Sequence, residues 1–166
     1  MTAELSKTKK IFLWLILSAM VLTLLFIFTN SLRPPEESME QSNSLADFMA
    51  GILPPETPLG AFVQDYIRKI GHFVEYGILG AEVAVFVSIY LQNKRKIMLL
   101  SLPLAVCVAV FDETLQYFSG RGPAVSDVWI DFSGFTVFAL AAYGAIHLAF
   151  YIKEARSKAG TEENNG

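Results

Sequence analysis

The sequence has little cysteine and little charge, and these shortages exclude several classes of protein. Its single cysteine, Cys107, lies inside an apolar run, so the chain has neither a disulfide framework nor a cysteine zinc site. We interpret Cys107 as a packing residue. Only 17% of the residues are charged and the formal net charge is −3, which leaves no basic surface for a nucleic acid. We therefore expect no nucleic-acid partner.

Apolar side chains are abundant instead, at 53% of the 166 residues, which is too many for an ordinary soluble domain. They are concentrated in four segments, 11–28, 70–91, 97–118 and 127–152. A helix rises about 1.5 Å per residue, so each segment is close to or beyond the length that crosses the hydrocarbon core of a bilayer. The sequence predicts an all-α integral membrane protein, a bundle of four transmembrane helices in a lipid bilayer.

A shorter amphipathic pattern lies between the first and second spans. Its apolar members, Leu45, Phe48, Met49, Ile52 and Leu53, are spaced by three and four residues or adjoin such positions. This spacing places them on one face of a helix. We expect an amphipathic interfacial helix here, lying along the membrane surface or against the bundle.

Lysines and arginines beside the spans are distributed unevenly, and the cytoplasmic side of a membrane protein carries more of them. One side has nine: Lys7, Lys9, Lys10, Lys94, Arg95, Lys96, Lys153, Arg156 and Lys158. The other side has four: Arg33, Arg68, Lys69 and Arg121. We therefore expect a multi-pass protein with both termini cytoplasmic, in which residues 1–154 form one membrane domain and residues 155–166 a disordered cytoplasmic tail.

Charged residues interrupt the apolar pattern where the third span ends and the fourth begins. An ion at membrane depth costs several kcal/mol unless it is paired or faces water, so such charges indicate a site. Asp112 and Gln116 are four residues apart and share a helix face, while Glu113 sits beside them and can point elsewhere.

The turn after the third span reads SGRGP, a composition typical of a tight reversal. Such a turn brings the two acidic helix ends together and carries Arg121 between them. Asp127 and Asp131 follow at a spacing of four. Asp127 is also suited to capping the fourth helix.

The second span begins with a further polar group. His72, Glu75 and Tyr76 lie on one face of the predicted helix, and Glu82 lies deeper on roughly the same side as a secondary candidate. With the orientation above, this group, the end of the third span and the start of the fourth all lie on the outer side of the membrane. A simpler alternative is that His72 and Glu75 form an ion pair that only orients two helices.

The serines after the first span, the motif RKIGHFVEYGILG and the motif DETLQYFSGRGPAVSDVWIDFSG resemble the VanZ-like family over roughly Phe12 to Ala145. This resemblance implies a protein of the bacterial plasma membrane and cell envelope that lowers susceptibility to teicoplanin, a lipid-tailed glycopeptide antibiotic. The family motif carries over onto His72, Glu75, Tyr76, Asp112, Glu113, Gln116, Arg121, Asp127 and Asp131. Asp131 stands where many relatives have asparagine, which makes this site more acidic.

Three functions are compatible with such a cluster. We favour a binding protein that recognises an amphiphile, such as a lipid-linked cell-wall precursor or the lipoglycopeptide itself. The second is a membrane enzyme that uses the carboxylates and His72 for acid–base or metal chemistry on a lipid head group, although no activated serine or cysteine motif accompanies them. The third is a proton-coupled transporter that would need Glu82. We do not favour a bound divalent metal, for which the candidate ligands are His72, Glu75, Asp112 and Asp131.

Overall fold

The computed structural model describes residues 6–163 and contains five helices in that range. They are α1 (Lys7–Ser31), α2 (Pro35–Ala50), α3 (Pro58–Tyr90), α4 (Lys94–Phe118) and α5 (Val125–Glu163). Four of them, α1, α3, α4 and α5, are long and apolar enough to cross a membrane. The predicted all-α bundle with four candidate spans is therefore confirmed.

Helix α2 is the amphipathic helix that the sequence predicted between the first two spans, but its bounds differ. It begins at Pro35, where the missing N–H of proline costs no hydrogen bond, and it ends at Ala50. Ile52 and Leu53, which we assigned to this helix, lie in the turn beyond its end. The difference arises because the chain turns at Gly51, before these two residues can continue the helical pattern.

Helix α2 packs against the first part of α3. The Gln64 side chain donates a 2.7 Å hydrogen bond from Nε2 to the carbonyl oxygen of Ala46, whose side chain is buried. Phe48 on the same helix is 66% exposed. Helix α2 thus has one side against the bundle and an apolar side chain free to contact lipid.

Helix α3 begins at Pro58, before the second predicted span of residues 70–91. Thr57 caps it by accepting a 3.0 Å hydrogen bond from the backbone N–H of Gly60, and Pro58 occupies the first turn. The helix then runs without interruption to Tyr90.

The closest helix packing in the described residues joins α3 and α5, and two glycines permit it. A Cβ atom on Gly80 would lie 2.2 Å from the carbonyl oxygen of Phe135, and one on Gly134 would lie 2.2 Å from the carbonyl oxygen of Phe73. Both distances are far below van der Waals contact, so any side chain would push the backbones apart. The two helices approach closely because each presents a glycine to the other, as small residues do in membrane bundles.

The outer surface of the bundle is apolar. Trp14 is 69% exposed and Leu22 is 65% exposed, although both belong to the most hydrophobic helix. Such a surface is compatible with lipid contact. Cys107 is also exposed, so our interpretation of it as a core packing residue is wrong: it lies on the outward face of α4.

The end of the chain differs from the prediction as well. Helix α5 continues to Glu163, so residues 155–163 are helical where we expected disorder. Alanine, lysine, arginine and glutamate in this segment are strong helix formers, and they extend the helix beyond the apolar span. Residues 164–166, the rest of the predicted tail, lie outside the described residues.

Candidate functional site

Polar side chains from α3, α4 and α5 meet inside one end of the bundle, next to the end of α1. Nδ1 of His72 lies 3.4 Å from Oδ1 of Asp131 and 4.0 Å from Oδ2 of Asp112. Both aspartates are fully buried, and His72 is only 9% exposed. We call these three residues the buried triad. The structure thus brings together one predicted site residue from each of three helices.

The short distance between His72 and Asp131 follows from the helix packing. Asp131 and Gly134 are three residues apart and therefore lie on the same face of α5. Gly134 contacts the carbonyl of Phe73, the residue after His72. Because the glycine lets α5 approach α3 at this level, the two side chains are brought within ion-pair distance.

Asp112 is held in place by two hydrogen bonds. The Ser31 hydroxyl donates to Oδ1 at 2.5 Å, and the Gln116 amide donates to Oδ2 at 3.2 Å. Gln116 is itself oriented by Arg68, whose Nη2 donates to Oε1 at 2.8 Å. A chain of contacts therefore runs from an arginine near the surface to a buried carboxylate.

Two further carboxylates of the predicted cluster, Glu75 and Glu113, have partners outside the triad. Oε1 of Glu75 accepts a 3.1 Å hydrogen bond from the Asn30 side chain. Glu113 accepts from the Gln116 amide at 2.7 Å and from the backbone N–H of Ala124 at 2.7 Å. The sequence left the direction of Glu113 open; it is buried in the same network, because Gln116 reaches residues three and four positions before it.

Arg121 does not lie between the carboxylates as an ion-pair partner. Its Nη1 donates a 3.0 Å hydrogen bond to the carbonyl oxygen of Asn30 at the end of α1, and none of the carboxylates whose side chains the structure describes forms an ion pair with it. Its side chain is buried, with Nε unpartnered. Burial lowers the pKa of the Arg121 guanidinium, and the positive charge of Arg68 lowers it further. A guanidinium nevertheless stays protonated in proteins, so this positive charge is retained.

The remaining predicted residues lie around this centre. Tyr76 is fully buried and its hydroxyl is unpartnered. It lies close enough to Asp112 and Asp131 to feel the negative charge of both carboxylates. Asp127 lies in the first turn of α5 and accepts a hydrogen bond from its neighbour Ser126. Glu82 lies deeper and accepts a 3.0 Å hydrogen bond from Thr23 of α1.

Two adjoining cavities open beside the triad. The smaller, of about 70 Å³, is lined by His72 and Glu75 together with Arg68, Arg121 and residues of α2. The larger, of about 380 Å³, is formed by these residues: Pro35, Ser38, Met39, Ser42, Arg68, Gly120, Arg121 and Gly122. We call the larger cavity the arginine pocket. Helix α2 contributes to both cavities, so it covers this end of the bundle.

A sequence model of the VanZ/LLP1 family matches residues 12–149, which is most of the chain. The chain belongs to the VanZ/LLP1 family. Together with the four spans, this membership makes it a multi-pass membrane protein. Neither the curated proteins nor the solved structures contain a match to it.

Three residues of this VanZ/LLP1 chain contact the site although sequence analysis did not select them. Asn30 and Ser31 bind Glu75 and Asp112, and Arg68 binds Gln116. A signal for the first two was present, because three polar residues, Thr29, Asn30 and Ser31, directly follow an 18-residue apolar run. Arg68 begins the motif RKIGHFVEYGILG and was counted as a charge at the membrane boundary, but sequence spacing does not show that its side chain meets Gln116.

The chemistry available in the buried triad differs from that in the arginine pocket. His72, Asp112 and Asp131 each offer one ligand atom, and these atoms lie within 4.8 Å of one another. Glu75, the fourth candidate metal ligand, is not part of this group within the described residues. Above the triad, the arginine pocket offers positive charge. One end of the bundle therefore presents anionic ligands inside and cationic donors at its mouth.

Proposed function

We propose that this VanZ/LLP1 protein binds an amphiphile with an anionic head group at the outer face of the bacterial plasma membrane. The amphiphile we favour is a lipid-linked cell-wall precursor, and binding it would lower susceptibility to lipid-tailed glycopeptides such as teicoplanin. The observation that carries the proposal is that Arg68 and Arg121 line one cavity, while no described carboxylate pairs with either of them.

The two arginines suit a phosphate or diphosphate group. Guanidinium groups form short, paired hydrogen bonds with phosphate oxygens, and these bonds are stronger than neutral ones. Arg68 and Arg121 are near enough for their positive charges to repel, and Nε of Arg121 is unpartnered. An anion between the two guanidinium groups would reduce their repulsion and would accept a hydrogen bond from Nε of Arg121. Ser38 lines the same pocket and offers a hydroxyl group, whereas the hydroxyl of Ser42, one turn further along α2, donates to the carbonyl oxygen of Ser38.

An apolar groove beside the cluster suits the hydrocarbon part of such a ligand. This groove of about 510 Å³ lies between α4 and α5, and its walls include Val110, Tyr117, Val128 and Trp129. Glu113 also lines it, so the groove adjoins the polar network. A lipid held here would keep its chain in the bilayer while its head group reached the polar end of the bundle.

The proposed orientation rests on the positively charged flanks. Tyr90 at the end of α3 donates a 2.8 Å hydrogen bond to the carbonyl oxygen of Lys9 at the start of α1. This contact puts two of the lysine- and arginine-rich segments at the same end of the bundle, opposite the triad. The excess of positive charge supports a cytoplasmic location for that end and for both termini.

An enzyme acting on a lipid head group is the second candidate, and the position of the triad favours it. His72 lines the cavity next to the arginine pocket, so an anionic head group bound there would lie near an imidazole and carboxylates. A proton-coupled transporter is the third candidate. A proton that leaves the triad towards the cytoplasm would next reach Glu82, which accepts a hydrogen bond from Thr23.

Lipid binding by the purified protein tests the proposal. We would titrate the protein in lipid nanodiscs with a polyprenyl diphosphate and, separately, with the uncharged polyprenol. We expect saturable binding of the diphosphate, weakened about tenfold or more in Arg68→Gln and in Arg121→Gln because each removes a charged hydrogen-bond donor. Arg33→Gln is the control, since Arg33 lies near this end of the bundle and donates to Gln41.

Equal affinity for the two lipids, or unchanged affinity in both arginine variants, would contradict the proposal. The cellular counterpart compares susceptibility to teicoplanin with susceptibility to a glycopeptide that lacks the lipid tail. We expect expression of the protein to protect against teicoplanin only, and the two arginine variants to lose that protection. Arg33→Gln should keep it.

A further inference from the structure

We infer that the buried triad of His72, Asp112 and Asp131 is a binding site for one divalent transition-metal cation, Zn²⁺ or Mn²⁺. One imidazole and two carboxylates are a ligand set that both ions accept. The inference concerns the interior of the bundle and does not depend on anion binding in the arginine pocket.

The distances within the triad fit a metal centre. Two ligands that each lie about 2.1 Å from a tetrahedral ion are about 3.4 Å from one another. Nδ1 of His72 and Oδ1 of Asp131 are 3.4 Å apart, and Nδ1 is 4.0 Å from Oδ2 of Asp112. All three candidate ligand atoms lie within 4.8 Å of one another. Movements of less than about 1 Å, which side-chain rotation can supply, would bring them to coordinating distance.

Unpartnered polar atoms point to the same ligand. Asp131 is fully buried, yet neither of its carboxylate oxygens has a hydrogen-bond partner, and Nδ1 of His72 has none either. A buried polar group without a partner is destabilising, and a charged one more so, so native proteins rarely keep it. The unpartnered oxygen of Asp131 faces the unpartnered nitrogen of His72. A cation between them would bind both.

The charge of the triad supports a divalent ion. Two buried carboxylates carry two negative charges, and a single imidazolium can neutralise only one of them. Neutral histidine with a divalent cation balances both carboxylates, and histidine ligates metals in its neutral form. Among the described side chains, the ion pairs that involve Asp112 and Asp131 are both to His72, so neither carboxylate is paired with a lysine or an arginine.

Residues around the triad orient Asp112 by hydrogen bonds, as residues behind the ligands do in metal sites. Ser31 and Gln116 donate to the two oxygens of Asp112, which fixes the orientation of this carboxylate. Glu113 also has both oxygens bound, by Gln116 and Ala124, but it does not belong to the group whose ligand atoms lie within 4.8 Å of one another. Asp131 differs from both carboxylates, because neither of its oxygens accepts a hydrogen bond.

Metal titration of the purified protein tests this inference. The full chain, purified in detergent and stripped with a chelator, would be titrated separately with Zn²⁺ and Mn²⁺, with a chelating dye as competitor. We expect about one ion per chain for one of the two metals, as a preformed site requires. Co²⁺ added to the stripped protein should give the visible absorption of a tetrahedral or five-coordinate nitrogen and oxygen site.

Variants assign the ligands. Asp131→Asn and His72→Gln should each lower the metal affinity at least about tenfold. Losing a residue that only hydrogen-bonds to a ligand already costs about that much, and these two are ligands themselves. Asp65→Asn, an exposed carboxylate near the same end of α3, should leave the affinity unchanged. Size-exclusion chromatography and circular dichroism identify variants that fold.

Absence of saturable binding of both ions to the unmodified protein would overturn the inference. So would folded Asp131→Asn protein that binds as tightly as the unmodified chain. If neither triad variant folds, the Co²⁺ spectrum of the unmodified protein decides, because the weak absorption of six-coordinate Co²⁺, in place of the stronger bands of a four- or five-coordinate site, rules out this site.

Discussion

The Ser31 hydroxyl donates a 2.5 Å hydrogen bond to Oδ1 of Asp112 and so joins the last residue of α1 to the buried triad. A second contact supports this connection, since the Ser119 hydroxyl donates to the carbonyl oxygen of Ser31 at 2.9 Å. The most lipid-exposed helix of the bundle is thereby tied to α4 at the level of the site. These polar contacts at the end of α1 add to the apolar packing of Leu24, Ile27 and Phe28 against the core.

Replacement of Ser31 by alanine should destabilise the protein. The change leaves one oxygen of the buried Asp112 carboxylate without its donor, at a cost of about 1–3 kcal/mol. The measurement is the free energy of unfolding in detergent micelles. The matched control is Ser133→Ala, because Ser133 is exposed and its hydroxyl bonds only to Trp129 of its own helix. Equal effects of the two substitutions would contradict the role given to Ser31.

Replacement of Gly134 by alanine should separate α3 from α5. The added Cβ would lie 2.2 Å from the carbonyl oxygen of Phe73, and backbone cannot move aside as a flexible side chain can. Overpacking of this kind costs about 1–3 kcal/mol, more than the roughly 1 kcal/mol that alanine gains in helix propensity. Thermal unfolding of the purified protein measures the effect.

Gly144 on the same helix provides the control for that prediction. A Cβ there meets no atom within 4 Å, so Gly144→Ala should leave the unfolding temperature unchanged or raise it slightly. If Gly134→Ala were as well tolerated as Gly144→Ala, close packing would not be what brings His72 to Asp131.

Cysteine labelling in intact cells tests the proposed orientation. In a Cys107→Ala background, Gly122→Cys should react with a membrane-impermeant thiol reagent, because it lies in the turn between α4 and α5. A Cβ at Gly122 has open space, so the substitution is not strained. Gln92→Cys, in the turn between α3 and α4, should react only after the cells are opened. The reverse pattern would place the arginine pocket and the triad in the cytoplasm.

Sequence reasoning was most successful for features that depend on neighbours along the chain. Spacings of three and four put His72 and Glu75 on one face of α3, and that face does point into the bundle. The same reasoning left the direction of Glu113 open, because a glutamine side chain can reach carboxylates on two adjacent faces of its helix. It also misjudged Arg121, whose partner is a carbonyl group at the end of a distant helix.

By itself, the sequence determined that this protein is a bundle of four long apolar helices, because the length and hydropathy of a segment decide whether it can cross a bilayer. It also determined which helix ends are polar. Only the tertiary structure decided that His72 meets Asp131 and that Asp112 meets Ser31. Those distances depend on how closely two backbones approach, and that approach is set by contacts such as Gly134 against Phe73, between residues far apart in the chain.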